Sequence, residues 1–145
     1  MANSEVVTRE DLKNVFEALG EGPYETRIDE LESHDYIVEQ GTSGIWTYRK
    51  WNSGIAECWG NASGSASFTR TWGGLYICDA FTVSFPSGLF IANPVATMSA
   101  QGGNSLIVFN GGTLNATSMK IQAGRGASAS NFSYFIGIHA IGRWK

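Results

Sequence analysis

The chain is poor in the residues from which most chemical sites and covalent staples are built. Only two cysteines, three prolines and two histidines occur in 145 residues, and charged side chains make up 16%. Cys58 and Cys78 lack metal-ligand spacing and fall inside apolar strand patterns. They are expected as reduced, buried small hydrophobes, with a disulfide as the alternative. The polar N-terminus has no apolar stretch before a small-residue cleavage site, so synthesis in a cytoplasm is expected. No run is long and apolar enough to span a bilayer, and no membrane partner is expected. His-Glu-x-x-His and Gly-x-Ser-x-Gly are both missing, and Gly124-Arg125-Gly126 lacks the third glycine and following helix of a phosphate cradle. Neither a cofactor, a metal nor catalysis is expected.

What charge there is falls unevenly. Residues 1–40 hold eleven carboxylates against Arg9, Lys13 and Arg27, whereas residues 41–145 hold only Glu57 and Asp79 against seven basic residues. The net charge of −3 conceals this division. It marks an acidic segment over 1–40 and a mildly basic domain over 41–145. The basic residues of that domain are scattered rather than clustered, so nucleic acid is not an expected partner. So few charges on a small domain point either to surface hidden against copies of itself or to an exterior of Ser, Thr, Asn and Gly.

The acidic segment reads as helical. Thr8-Arg9-Glu10-Asp11 is a helix-start signature, and Leu12, Val15, Phe16 and Leu19 follow at helical spacing before Gly20. A second short helix is predicted from Gly22-Pro23, with Tyr24, Ile28 and Leu31 on one stripe. Helices this short are marginal in water, so both stripes require burial against each other, another subunit or another protein. A small bundle about a symmetry axis, or packing on the chain's own β-domain, would satisfy them.

From residue 41 onward the signals are those of antiparallel strands. Trp46-Thr-Tyr-Arg-Lys-Trp51 and Ile55-Ala-Glu-Cys58-Trp59-Gly60 flank Asn52-Ser53-Gly54, which reads as a β-hairpin. Further strands are expected over 65–72, 75–85, 89–100, 105–109, 113–123 and 132–143. Their turns fall at 60–64, 73–74, 86–88, 110–112 and 124–131. Pro94 has no N–H and is expected at a sheet edge or bulge. In the last strand Phe132, Tyr134, Ile136, Ile138 and Ala140 face one way, and Ser133, Phe135, Gly137, His139 and Ile141 the other. Both faces are largely apolar, which places this strand at the centre of a sheet with something covering its outer side. His139 is expected as a hydrogen-bonded interior or interface residue. The fold class predicted is mainly β: an antiparallel, jelly-roll-like β-sandwich with a short N-terminal α-helical segment.

The hairpin resembles the one that begins the C-terminal β-sandwich of many bacteriophage and prophage tail-fibre or minor structural proteins, especially from phages of low-GC Gram-positive gut bacteria. Phe81-Thr-Val-Ser-Phe85-Pro86 leading into Ile91-Ala-Asn-Pro94-Val-Ala-Thr-Met98, and the ending Ile138-His-Ala-Ile141-Gly-Arg-Trp144-Lys145, are similar to the same family. One lysine after the final tryptophan is a departure. The similarity covers residues 36–145. It implies a virion protein assembled in the bacterial host cytoplasm and a homotrimer. A fold shared by many appendages does not name a ligand.

Strand parity indicates where a ligand would bind. If the chain runs outward from residue 41, the turns at 52–54, 72–74, 100–104 and 124–131 share the far end of the sandwich. That end would gather Trp51, Asn52, Trp72, Gln101, Asn104, Arg125 and Asn131, aromatic platforms and amides suited to a host-surface glycan, with cell-wall glycan the sensible target. If Tyr36 to Gln40 forms its own strand, the two ends exchange. Glu57 and Asp79 are the minimum carboxylate pair for glycoside hydrolysis, yet pairing with Arg49, Lys50 or Arg70 explains them more simply. The expected function is therefore host attachment by the sandwich, with Leu12, Val15, Phe16, Leu19, Tyr24, Ile28 and Leu31 serving assembly or contact with other virion proteins. A head fibre or capsid decoration protein is the structural alternative.

Overall fold

A computed structural model describes residues 8–18, 33–101 and 106–145. The chain divides into two compact units, Met1–Asp35 and Tyr36–Lys145. In the first, helix α1 spans Arg9–Ala18. It begins where predicted. The Thr8 hydroxyl accepts a hydrogen bond from the Asp11 N–H at 3.2 Å, and the Asp11 carboxylate accepts one from the Thr8 N–H at 2.8 Å. Two otherwise unpaired donors at the helix start are thereby satisfied reciprocally. Bonds from the Thr8 hydroxyl and then its N–H hold the Asp11 carboxyl below its usual range. Leu12 and Val15 are exposed. The Phe16 side chain, Leu19 and the predicted second helix with Tyr24, Ile28 and Leu31 lie outside the described residues.

The second unit is an antiparallel sandwich. One sheet has the order β1 (Ile37–Ser43), β2 (Trp46–Trp51), β3 (Ile55–Phe68), β10 (Ala129–Arg143), β7 (Val95–Ala100). The other contains β4 (Arg70–Trp72), β5 (Leu75–Ile77), β6 (Phe81–Ser84), β8 (Leu106–Leu114) and β9 (Ser118–Arg125). Strands β5 and β6 lie end to end along one edge of β9, while β8 occupies its other edge. At the break between them the Cys78 N–H donates to the Ala123 carbonyl at 3.1 Å and the Gln122 amide donates to the Cys78 carbonyl at 2.7 Å. The gap in the ladder therefore leaves its backbone groups paired.

Alternation along β3 and β10 builds the core. Ala56, Cys58, Ala62 and Phe68 of β3, with Ile136, Ile138 and Ala140 of β10, turn inward and are buried. All but Phe68 meet Val83, Phe85, Met119 and Ile121 from the other side, with Trp46 in the same cluster, and Phe68 packs in a second cluster with Cys78 and Ala123. The Trp46 indole N–H donates to the Ser84 carbonyl at 2.7 Å, so the buried ring keeps its polar atom satisfied. Cys58 and Cys78 are buried and free. As predicted, β10 is an interior strand of its sheet, and Pro94 directly precedes β7, an edge strand.

Two expected turns do not exist. Strand β3 runs through 60–64 without a break and β8 runs through 110–112. The glycines there serve close approach rather than reversal. A Cβ at Gly60 would collide with the Ile45 carbonyl oxygen, and one at Gly64 would come within 2.6 Å of the Tyr134 hydroxyl. At Gly112, φ of 151° accompanies a register shift between Asn110 and Leu114. Other boundaries also move: the turn expected at 86–88 widens to a loop over 85–94, so the strand expected from Leu89 begins at Val95; the strand expected over 75–85 is divided into β5 and β6; the one expected over 113–123 is divided between β8 and β9; and the last strand begins at Ala129 rather than Phe132.

Candidate functional site

Strand β1 settles the parity question. It pairs with β2, and the Asn52 N–H donates to the Tyr36 carbonyl at 2.8 Å, so the sandwich begins beside the β2–β3 turn. Trp51 and Asn52 lie at this Tyr36 end, where Trp144 also docks: its backbone N–H donates to Gly54 and its indole N–H to the Trp51 carbonyl. Trp72, Arg125 and Asn131 lie at the opposite end, since β10 starts there and finishes beside Ile55. The twelve residue-to-residue steps from Asn131 to Arg143 separate the two groups by roughly 40 Å at about 3.3 Å per step. The predicted ligand set is thus split, because β3 crosses the domain without the expected reversal. Gln101 belongs to neither group, and Asn104 lies outside the described residues.

Gln101 instead leads to the outer face of the first sheet. There the strand register sets Thr47, Trp59, His139 and Thr97 in one row across β2, β3, β10 and β7. Asn61, Gly137 and Ser99 form the next row, and Arg49, Glu57, Ile141 and Val95 the row on the other side. Side chains in such rows stand about 5 Å apart. Gly137 contributes none, so its row is hollow in the middle. The result is an open trough of about 560 Å³ lined by Trp59, Asn61, Thr97, Ser99, Gln101 and His139 over the backbone of Gly137. A Cβ at Gly137 would collide with the Gln101 amide and approach the Ser99 hydroxyl to 3.0 Å. Glycine here is what lets Gln101 lie across the floor.

The rim is held by charge. His139 Nε2 lies 3.1 Å from Glu57 Oε2, and Arg49 lies 3.8 Å from the other Glu57 oxygen. The Arg49 guanidinium also sits over the Trp59 ring at 4.9 Å. Three strands thus fix the orientation of Trp59 and His139. The histidine is hydrogen-bonded as expected, but on an outward face with its side chain 46% exposed rather than in the interior. The other β-domain carboxylate, Asp79, pairs with Arg70 at 2.8 Å on the second sheet. Glu57 and Asp79 therefore occupy different sheets, each with a basic partner. Among the described residues no group of three or more His, Cys, Asp or Glu converges in a way that would hold a metal ion.

At the Trp72 end a second surface stands out. Trp72 is 61% exposed and packs against Phe109 with ring centroids 5.5 Å apart. Leu75, Ile77 and Phe109 close over Gly124 beneath it. Arg125 turns away from this platform and lies over the Phe132 ring at 4.2 Å. This surface has aromatic area without the converging amides and hydroxyls of the trough.

The fold is shared with a tail fibre. An N-truncated R1-type pyocin tail fibre superposes with a TM-score of 0.50 over 81% of this chain and 94% of that one, at 18% identity. A longer P. aeruginosa R1 pyocin fibre fragment matches with the same score and identity over 75% of this chain and 28% of its own length. No family model matches the chain, and no curated protein matches it by sequence. At this identity the likeness is one of architecture.

The trough was missed in the sequence because its residues belong to strands and not to turns. Of its lining residues only Gln101 stands among the seven ligand-binding candidates of the sequence. A signal was present: Trp59 and Asn61 on one strand, Thr97 and Ser99 on another, and Gly137 and His139 on a third share the outward parity of their strands. Recognising that they meet requires the order β3–β10–β7, which joins strands far apart in the chain.

Proposed function

We propose that the chain is a virion fibre protein whose β-sandwich binds a host cell-surface glycan. The observation that carries this reading is the trough over Gly137, where an indole, two amides, two hydroxyls and an imidazole converge on one open concavity. Sugars present C–H faces that pack on the negative face of an aromatic ring, and hydroxyls that both donate and accept hydrogen bonds. The shared architecture with pyocin tail fibre fragments supports the fibre setting. In this reading the protein is a homotrimer without catalytic activity, assembled in the bacterial host cytoplasm, and its acidic N-terminal segment joins it to other virion proteins.

The test is binding of the fluorescently labelled chain to intact bacteria and to purified virions, with and without residues 1–35. A receptor binder retains affinity for cells of a susceptible strain when the segment is removed. Loss of virion binding without any cell binding would instead assign the protein to capsid decoration.

A further inference from the structure

We infer that the trough over Gly137 is specific for an uncharged sugar and rejects the anionic polymers of the cell surface. This rests on the glycan-binding reading above and narrows it to one chemical class. The side chains lining the trough are those of Trp59, Asn61, Thr97, Ser99, Gln101 and His139, with no lysine, arginine or carboxylate among them. The charged groups nearest in register, Arg49 and Glu57, are engaged with each other, and Glu57 is also engaged with His139. A phosphodiester or uronate entering here would find no cation committed to it and would meet the Glu57 carboxylate at the rim. Desolvating an anion without a partner is costly, whereas a neutral hydroxyl loses little when an amide replaces water.

The polar inventory matches a polyol in both directions. Each amide of Asn61 and Gln101 offers a donor and an acceptor, and the Ser99 hydroxyl offers both. Thr97 is oriented by its own contact, donating towards the His139 carbonyl at 3.5 Å. Its β-strand position and that of Trp59 are fixed by register on both sides of His139. The trough is therefore preorganised on a sheet rather than on loops, which lowers the ordering cost of binding.

The experiment uses the full chain on a printed array carrying neutral glycans beside polyglycerol phosphate and polyuronates, read at roughly 50 and roughly 500 mM NaCl. The expected result is binding to neutral spots that changes less than about twofold between the two salts. Trp59→Ala and Gln101→Ala should each weaken it at least about tenfold, with unchanged thermal unfolding. Gln101 is exposed, so its variant reports on binding even if Trp59→Ala destabilises the sheet. Binding confined to anionic polymers and lost at high salt would overturn the inference while leaving the fibre reading intact. Neutral binding unchanged in both variants would place the site elsewhere, as at the Trp72 platform. A change of solution mass in Trp59→Ala without a change in glycan signal would assign this face to contact between copies and would also overturn the inference. Failure of the fibre reading is seen separately, as absence of binding to intact cells and virions.

Discussion

Cys58 sits fully buried on β3, directly after Glu57. Burial, and secondarily the negative charge of Glu57, push its thiol up from 9.0 to about 12. The folded chain holds this proton through a pH range in which the unfolded chain releases it. Stability is therefore fully present below pH 9.0 and falls as pH rises from there towards about 12. In a Cys78→Ala background, Cys58 should resist a thiol reagent at pH 8 in the native protein and react at once in denaturant. Reaction at equal rates in both states would contradict the burial. Trp144 is the second residue whose role is local and testable. It is half-buried and clasps the β2–β3 turn through two hydrogen bonds to the Trp51 and Gly54 carbonyls, of 2.8 and 2.9 Å. Trp144→Ala should cost about 2 kcal/mol, read from urea unfolding, because the ring packing and the indole bond to Trp51 are lost while the backbone bond to Gly54 remains.

At the scale of elements, the β2–β3 hairpin and the central β10 were legible because their signals are local. Trp51-Asn-Ser-Gly54 closes with the Gly54 N–H donating to the Trp51 carbonyl at 3.0 Å, and Gly54 takes φ of 91°. Strand β10 is an interior strand between β3 and β7, its inner face packed on the facing sheet, while Phe135 and Ile141 on its outer face are exposed. Strand β3 was misread because Gly60, Asn61 and Gly64 have the composition of a turn. Their function is spatial, since Gly60 admits the Ile45 carbonyl and Gly64 the Tyr134 ring, and composition alone does not distinguish a reversal from a close approach. The error spread to the candidate site by putting Trp51 and Trp72 at one end of the sandwich, when they lie at opposite ends. Gly60→Ala should therefore destabilise the fold by about 1–3 kcal/mol, as an overpacked core does, because the obstructing atom is backbone. Gly73→Ala, at a turn with open space around it, should cost less, although its φ of 58° is unfavourable to alanine. Chemical denaturation of the two variants tests this ordering.

For the molecule as a whole, the charge division read from the sequence falls at residue 40, and the compact units divide between Asp35 and Tyr36. Glu39 accordingly belongs to the sandwich, where Lys50 and then Tyr48 hold its carboxyl below the usual range. A chain beginning at Tyr36 should unfold cooperatively by itself. Light scattering on it and on the intact chain then locates the contact between copies: a trimer in both cases assigns it to the sandwich, and a trimer only with the acidic segment assigns it to residues 1–35. The proposed function makes this protein a fibre on a virion, with its sandwich turned to the host. Immunogold electron microscopy of particles from the strain that encodes it, using an antibody to the sandwich, tests that most directly. The account predicts gold at the distal ends of tail appendages; label spread over the head, or particles carrying none, would contradict it.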